Sequence, residues 1–328
     1  MSYTLKNPVR VVTAAALFDG HDASINIMRR ILQDLGAEVI HLGHNRSVSD
    51  VVKAVLQEGA QGVCISSYQG GHMEYFKYMK DLLDKAGASY VKIYGGGGGV
   101  IVHDEKRELE AYGIAQIFHP DDGRKLGLEG MIEMIVRGCD FDLAEAKAKV
   151  IAHEVEDPFV DDPIPSFDLG RALSLIENGS PAAQVDTLIK NSPLENFRAQ
   201  KRKPVVLGIT GTGGAGKSSL IDEIVQRFLN AYPKKNIAVV CVDPSKRKTG
   251  GSLLGDRIRM NSLSRDHVYM RSVASRGSGR EIASSLPPIL DYVKNFDFDL
   301  VIAETSGIGQ GNMAITEVSD IAMYVMTS

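Results

Sequence analysis

The chain has 328 residues, enough for two domains, and the composition of a soluble globular protein: 44% hydrophobic and 24% charged, with no Trp. Lysine and arginine number 37 and the acids 41, so the net charge is −4, which makes no general electrostatic case for nucleic acid or an anionic membrane as partner. No apolar run approaches a membrane span, and no leader-like segment opens the chain, so the expectation is a cytoplasmic protein. Cys64, Cys139 and Cys241 lie far apart. Cys64 and Cys241 fall in strand-like apolar runs, which suits core residues better than a disulfide or a metal cluster.

Residues 1 to about 140 alternate strand and helix patterns. Strands are expected at Val9–Ala16, Glu38–Leu42, Gly62–Ser66, Tyr90–Tyr94 and Ala115–Phe118. Helices are expected at Ala23–Leu35, Ser49–Glu58, Met73–Lys85, Glu105–Tyr112 and from about Leu126 to Arg137. Five such units predict a parallel, doubly wound sheet of the flavodoxin-like kind. Ligands on these sheets sit beyond the carboxyl ends of the strands, which directs attention to loops 17–24, 66–72 and 95–103.

Residues 142–203 read as a partly helical linker. A charged helix is expected over Asp142–Glu154, then a proline-broken connector from Asp157 to Pro165, then helices at Phe167–Glu177 and Pro181–Lys190. The triplet Lys201-Arg202-Lys203 is a solvated edge rather than a nucleic-acid site. From residue 204 a second domain begins. Its strands are expected at Val205–Thr210, Ile237–Val242, Val268–Ser272, Leu300–Ala303 and Ile321–Met326, with a helix over Glu281–Lys294 that Pro287 and Pro288 interrupt or bend.

The first of these strands runs into Gly211-Thr212-Gly213-Gly214-Ala215-Gly216-Lys217-Ser218, and Ser219–Phe228 leaves it as an amphipathic helix. This is G-x-x-x-x-G-K-[ST] between strand and helix, a P-loop. Its glycines let backbone N–H groups turn onto phosphate oxygens, Lys217 reaches the outer phosphates, and the Ser218 hydroxyl can hold Mg²⁺. Asp243, Asp256 and Glu304, at strand ends or loops after it, are the candidate carboxylates for that ion, and Arg259 is a candidate phosphate contact.

In the first domain the loop reads Asp19-Gly20-His21-Asp22-Ala23-Ser24. After 41 residues comes Ser66-Ser67-Tyr68, and after 26 more the glycine run from Gly95. The arrangement resembles the cobalamin-binding domain of adenosylcobalamin-dependent mutases and of methionine synthase, with its D-x-H-x-x-G, S-x-L and G-G motifs. Ser24 stands here for the third motif residue Gly, and Tyr68 for the Leu. The resemblance implies His21 as lower axial ligand of cobalt, with Asp19 taking its other N–H. It also implies a slot for the cofactor's nucleotide tail beside Ser24, Ser66, Tyr68, Gly95, Gly96 and Gly97. His41, His44, His72, His103 and His119 are assigned no chemistry, although His72 and His103 fall near the expected pocket.

The second domain's G-x-x-G-x-G-K-S, D-P-S, T-G-G-S-x-L-G-D-x-x-R-M and E-T-x-G-x-G-Q resemble the MeaB-type G-protein chaperones of cobalamin mutases. That resemblance implies GTP with Mg²⁺, bound by Gly211, Gly213, Gly214, Ala215, Gly216, Lys217, Ser218 and Arg259, with hydrolysis depending on Lys217 and Glu304. The N-K-x-D motif that reads guanine does not occur in the chain, so the expectation is an incomplete G domain or the front of a longer polypeptide. The two domains in this order resemble the N-terminal part of the fused isobutyryl-CoA mutase family. The resemblance implies a radical rearrangement of acyl-CoA on adenosylcobalamin, gated by the G domain. It further implies a substrate barrel absent from these residues, a homodimer, and delivery of cofactor by an adenosyltransferase. The rivals are a fused methylmalonyl-CoA mutase-type enzyme, a non-catalytic cobalamin carrier or sensor with a GTPase switch, and a receiver-like domain fused to an ATPase. A receiver would end its third strand on Asp, where this chain has Ser66.

Overall fold

The computed structural model describes residues 3–20, 23–148, 159, 162–198, 202–246, 248–276, 283–305 and 314–327. They form two compact units, Met1–Pro158 with Lys248–Leu253, and Phe159–Arg247 with Leu254–Ser328.

The first unit runs β1 (Arg10–Ala15), α1 (Ala23–Asp34), β2 (Glu38–His41), α2 (Val48–Glu58), β3 (Gly62–Ser66), α3 (His72–Lys85), β4 (Lys92–Gly96), α4 (His103–Tyr112), β5 (Gln116–Phe118), α5 (Pro120–Cys139) and α6 (Leu143–Ala148). Its five strands pair in parallel in the order β5-β4-β3-β1-β2, with the short strand β8 (Ser252–Leu254) at the β2 edge. This is the flavodoxin-like order, and its switch point lies between β1 and β3. The strands are continuous apolar runs because helices cover both faces: all of β1 and β3 is buried. Val11, Val39, Ile25, Leu32, Ile132 and Val136 form part of one core cluster.

Among the boundaries that differ from the sequence expectation, two shape the site. β4 begins two residues later and takes in Gly95 and Gly96, which pair with Ile65 and Ser66 on one side and Ile117 and Phe118 on the other. Glycine weakens a strand, but the Phe76 ring lies 2.3 Å from where a Gly95 β-carbon would stand and fills that space. α5 begins at Pro120 rather than near Leu126. His119 caps it, its ring accepting from Asp121 N, and Asp122 Oδ2 accepts from His119 N at 2.9 Å. Pro120 has no N–H to lose in the first turn. The helix kinks at Gly127, whose φ is 68°.

The second unit opens with α7 (Ser166–Glu177), α8 (Ala182–Leu188) and α9 (Pro193–Asn196). The segment read as a linker is thus packed structure in its described second part. Leu169, Ala172 and Leu173 of α7 are fully buried, and Glu177 pairs with Arg271 at 2.6 Å, both out of solvent. There follow β6 (Val205–Gly211), α10 (Lys217–Ala231), β7 (Ile237–Asp243), β9 (Val268–Ala274), α11 (Leu286–Val293), β10 (Leu300–Glu304), α12 (Ala314–Val318) and β11 (Ile321–Val325). The parallel sheet has the order β11-β6-β10-β7-β9. Pro287 and Pro288 do not interrupt a helix; they occupy the first turn of α11, where proline is tolerated.

Candidate functional site

In the first unit the candidate residues meet at the carboxyl ends of β1, β3 and β4. Asp19, in the loop after β1, is buried, and its Oδ2 accepts from the Tyr68 backbone N–H at 2.6 Å. That bond ties the β1 loop to the β3 loop. Ser24 opens α1 and Ser66 closes β3, and their hydroxyls face one another at 3.4 Å. A cavity of about 220 Å³ lies there. Ser24, Ser66, Tyr68, Gly95, Gly96 and Gly97 line it, together with Ile25 and Met28 of α1 and Met131 and Ile135 of α5. The cavity is therefore mostly apolar with hydroxyls converging on it, the character of a small-molecule slot. His21 lies outside the described residues, as does Asp22.

The three glycines are small for different reasons. Gly95 makes room for Phe76, as above. A β-carbon on Gly97 would stand 1.8 Å from the Ser67 carbonyl oxygen. Gly96 has only ordinary contacts, the nearest being Phe118 O at 3.4 Å. His72 does not line the cavity. It is buried between Gln69 O, 3.1 Å from Nδ1, and Glu105 Oε2, 3.0 Å from Nε2.

In the second unit the loop between β6 and α10 has the backbone its glycines permit: φ is 145° at Gly211, 79° at Gly214 and 89° at Gly216. The two latter values lie in the left-handed region, where a side chain is strained. Lys217 begins α10 and donates to the carbonyls of Gly211 and Thr212, each at 3.2 Å. Gly213, Gly214, Gly216, Lys217, Ser218, Asp243, Asp256, Arg259 and Glu304 line one cleft of about 440 Å³. Gly211 and Ala215 are not in its wall. Arg259 is 63% exposed, 3.6 Å from Asp256 Oδ1.

The carboxylates converge. Ser218 Oγ reaches Asp256 Oδ1 at 3.2 Å and Glu304 Oε1 at 3.3 Å. Asp243 Oδ2 accepts from Gly255 N at 3.2 Å. Burial first, and then the Asp256 charge, push Asp243 up to about 8 and Glu304 up to about 7; burial raises Asp256 as well. Three acids held up by desolvation and by one another, around a hydroxyl at a P-loop, form a donor set that suits a hard divalent cation. Cys241 Sγ is near Glu304 Oε2, at 3.6 Å, but a soft thiol is a poor ligand for Mg²⁺.

Sequence reasoning missed several wall residues of the first cavity, His119, Pro120 and Gly123 among them. The signal was present: His-Pro-Asp-Asp directly after a strand is a helix start, with proline at the first helical position and an acid at the third. In the second unit it missed Thr305, which joins the cleft wall and donates to Thr210 Oγ1 at 2.9 Å.

Residues 9–123 match the family described as B12 binding domain, and residues 169–328 match the family described as methylmalonyl Co-A mutase-associated GTPase MeaB. The chain is 56% identical over 335 residues to a fused isobutyryl-CoA mutase of Geobacillus kaustophilus, covering 99% of this chain and 30% of that protein. It is 52% identical over 325 residues to one of Cupriavidus metallidurans, covering 98% of this chain and 28% of that protein. A putative GTPase of Pyrococcus abyssi is 33% identical over 159 residues, 47% of this chain and 45% of that protein. The chain thus spans about three-tenths of the length of the fused mutases that it matches. No helix among the described residues is long and apolar enough to cross a membrane.

Proposed function

We propose that the chain, which is similar over nearly its whole length to fused isobutyryl-CoA mutases and matches the B12-binding and MeaB GTPase families, binds adenosylcobalamin in the first unit and GTP with Mg²⁺ in the second. The whole protein would interconvert isobutyryl-CoA and n-butyryl-CoA, with the acyl-CoA held by a barrel outside these residues. The observation that carries the first half is the cavity at the carboxyl ends of β3 and β4, walled by the two serines and the glycine run. It suits the cofactor's nucleotide tail: hydroxyls at Ser24 and Ser66 for its polar atoms, and apolar walls from α1 and α5 for its ring. Asp19, two residues before His21 in sequence, is held by the Tyr68 N–H, and His21 is proposed as the residue that would bind the cobalt. When bound, the cofactor would supply radical chemistry; the residues of this chain would hold and orient it.

In the second unit Lys217 lies where it can neutralise charge on the outer phosphates. Ser218, Asp243, Asp256 and Glu304 form the oxygen donor set for Mg²⁺. Glu304 and Lys217 are the residues on which hydrolysis depends. Hydrolysis would gate loading or removal of the cofactor, with γ-phosphate contacts as the switch. Guanine, a homodimer and a delivering adenosyltransferase belong to the same proposal and rest on the family.

The test is a cobalamin titration of the full chain and of His21→Ala. The wild type is expected to shift to the spectrum of His-ligated cobalamin, and the variant to keep the spectrum of cobalamin without protein ligation. Identical spectra in the two proteins would remove His21 from the axial position.

A further inference from the structure

A group at the edge of the first cavity has the composition and spacing of a metal centre. His103 is the first residue of α4, and His119 and Asp121 stand at the start of α5. The two imidazole rings lie with centroids 4.1 Å apart, tilted by 38°. One carboxylate oxygen serves both: Asp121 Oδ2 is 3.3 Å from His103 Nε2 and 3.2 Å from His119 Nδ1. The other oxygen, Oδ1, accepts from Arg124 at 3.1 Å. One ligand atom from each of the three residues lies within 4.8 Å of the others.

Two ion pairs do not account for this arrangement. A neutral His103 ring can donate from Nε2 to Oδ2, but His119 Nδ1 accepts from the Asp121 N–H at 3.3 Å and so has no proton to offer the same Oδ2 at 3.2 Å. A cation among the three groups makes the same geometry favourable, since neutral imidazole nitrogens and a carboxylate oxygen are all donors to it. The spacing also agrees. Ligand atoms about 2.0–2.2 Å from a tetrahedral Zn²⁺ are about 3.3–3.6 Å from one another; the Asp–His separations of 3.3 and 3.2 Å lie at and just under the short end of that range. Arg124 on Oδ1 supplies an outer partner of the kind that orients a ligating carboxylate. Imidazole nitrogens select borderline transition ions over Mg²⁺ or Ca²⁺. His103 is 58% exposed, so a fourth position is open to water and the ion has a path from solvent.

We propose that His103, His119 and Asp121 bind one divalent transition-metal ion of the Zn²⁺ class, which clips the N-terminus of α4 to that of α5. The site lies in the wall region of the first cavity, since His119 lines that cavity too. Nothing in the proposed cofactor or nucleotide chemistry uses it.

The test is titration of the full 328-residue chain with Zn²⁺, and with Co²⁺ as a spectroscopic substitute, in excess Mg²⁺ so that oxygen-donor sites are filled. The wild type is expected to bind one equivalent of Zn²⁺ more than His103→Ala or Asp121→Asn. It is also expected to show a tetrahedral Co²⁺ absorption that both variants lack, and a thermal midpoint that rises with Zn²⁺ only in the wild type. His103 is largely exposed, so its truncation leaves the fold intact, and circular dichroism of each variant checks this. Equal Zn²⁺ stoichiometry and affinity in wild type and His103→Ala would overturn the site, as would a wild type that binds no Zn²⁺.

Discussion

Gly96 and Gly97 are neighbours in the wall of one cavity, and one added methyl group should do opposite things at the two positions. On Gly97 the new carbon would stand 1.8 Å from the Ser67 carbonyl oxygen and 2.9 Å from its carbon, against about 3.5 Å for comfortable contact. The obstacle is backbone, so no side chain can swing aside. Moving Ser67 would also strain the hydrogen bond from its N–H to Gly96 O, now 2.8 Å. Overpacking of about 1–3 kcal/mol and a backbone hydrogen bond of about 1 kcal/mol give an expected loss for Gly97→Ala of about 2–4 kcal/mol. On Gly96 the nearest atom would be Phe118 O at 3.4 Å, and its φ is not positive. Gly96→Ala should therefore hold its stability within about 0.5 kcal/mol. Its methyl narrows the proposed tail slot, however, and cobalamin affinity should fall about tenfold or more, the equivalent of about 1.4 kcal/mol. Urea unfolding reads the first effect and cobalamin titration the second. Wild-type stability in Gly97→Ala would refute the packing argument. Wild-type affinity in Gly96→Ala would show that the tail does not lie in this cavity.

The second unit yields two further expectations. Lys217→Ala should lower GTP hydrolysis in the full-length protein by about 10²-fold or more, because a charge aimed at the phosphates is lost; turnover within a few-fold of wild type would take the P-loop out of the mechanism. Glu304 sits at about 7 in the metal-free fold against an ordinary 4.5. Between those values the native state binds more protons than the unfolded chain, so stability falls as pH rises through that window, by roughly 3 kcal/mol for this group. In EDTA, Glu304→Gln should lose roughly 3 kcal/mol less stability than wild type between pH 5 and pH 8 when unfolding is followed by urea titration, the remaining loss coming from Asp243, and equal losses in the two proteins would contradict the assignment.

Much of the fold was legible because its strands are buried on both faces. Arg10–Ala15, Gly62–Ser66 and Ile237–Asp243 are short apolar runs between turn signals, a pattern that parallel sheets impose. What the sequence concealed depended on contacts across the chain. Gly95 and Gly96 look like loop; Phe76 packs where a side chain on Gly95 would stand, and pairing with β3 and β5 holds both residues in the strand. The helices before β6 look like a connector because α8 and α9 are short. Arg271, some ninety residues beyond Glu177, supplies the buried partner that locks α7 in place.

The two sites differ in how far local pattern could reach. The P-loop is one contiguous segment whose glycines set its own backbone, so its position and shape follow from eight residues. Asp243, Asp256 and Glu304 come from three separate elements, and sequence could name them but not say that Ser218 Oγ stands between two of them. Nor could it say that burial would raise all three above their ordinary range. That electrostatic tension is a property of the assembled cleft: each acid would ionise at its usual pH on an open surface. A divalent cation would relieve it, so the same geometry that destabilises the fold above neutral pH supports the Mg²⁺ proposed there. The first cavity follows the same logic with packing in place of charge: Phe76 and Ser67 press on Gly95 and Gly97 of its wall, and the early start of α5 brings His119, Pro120 and Gly123 into it.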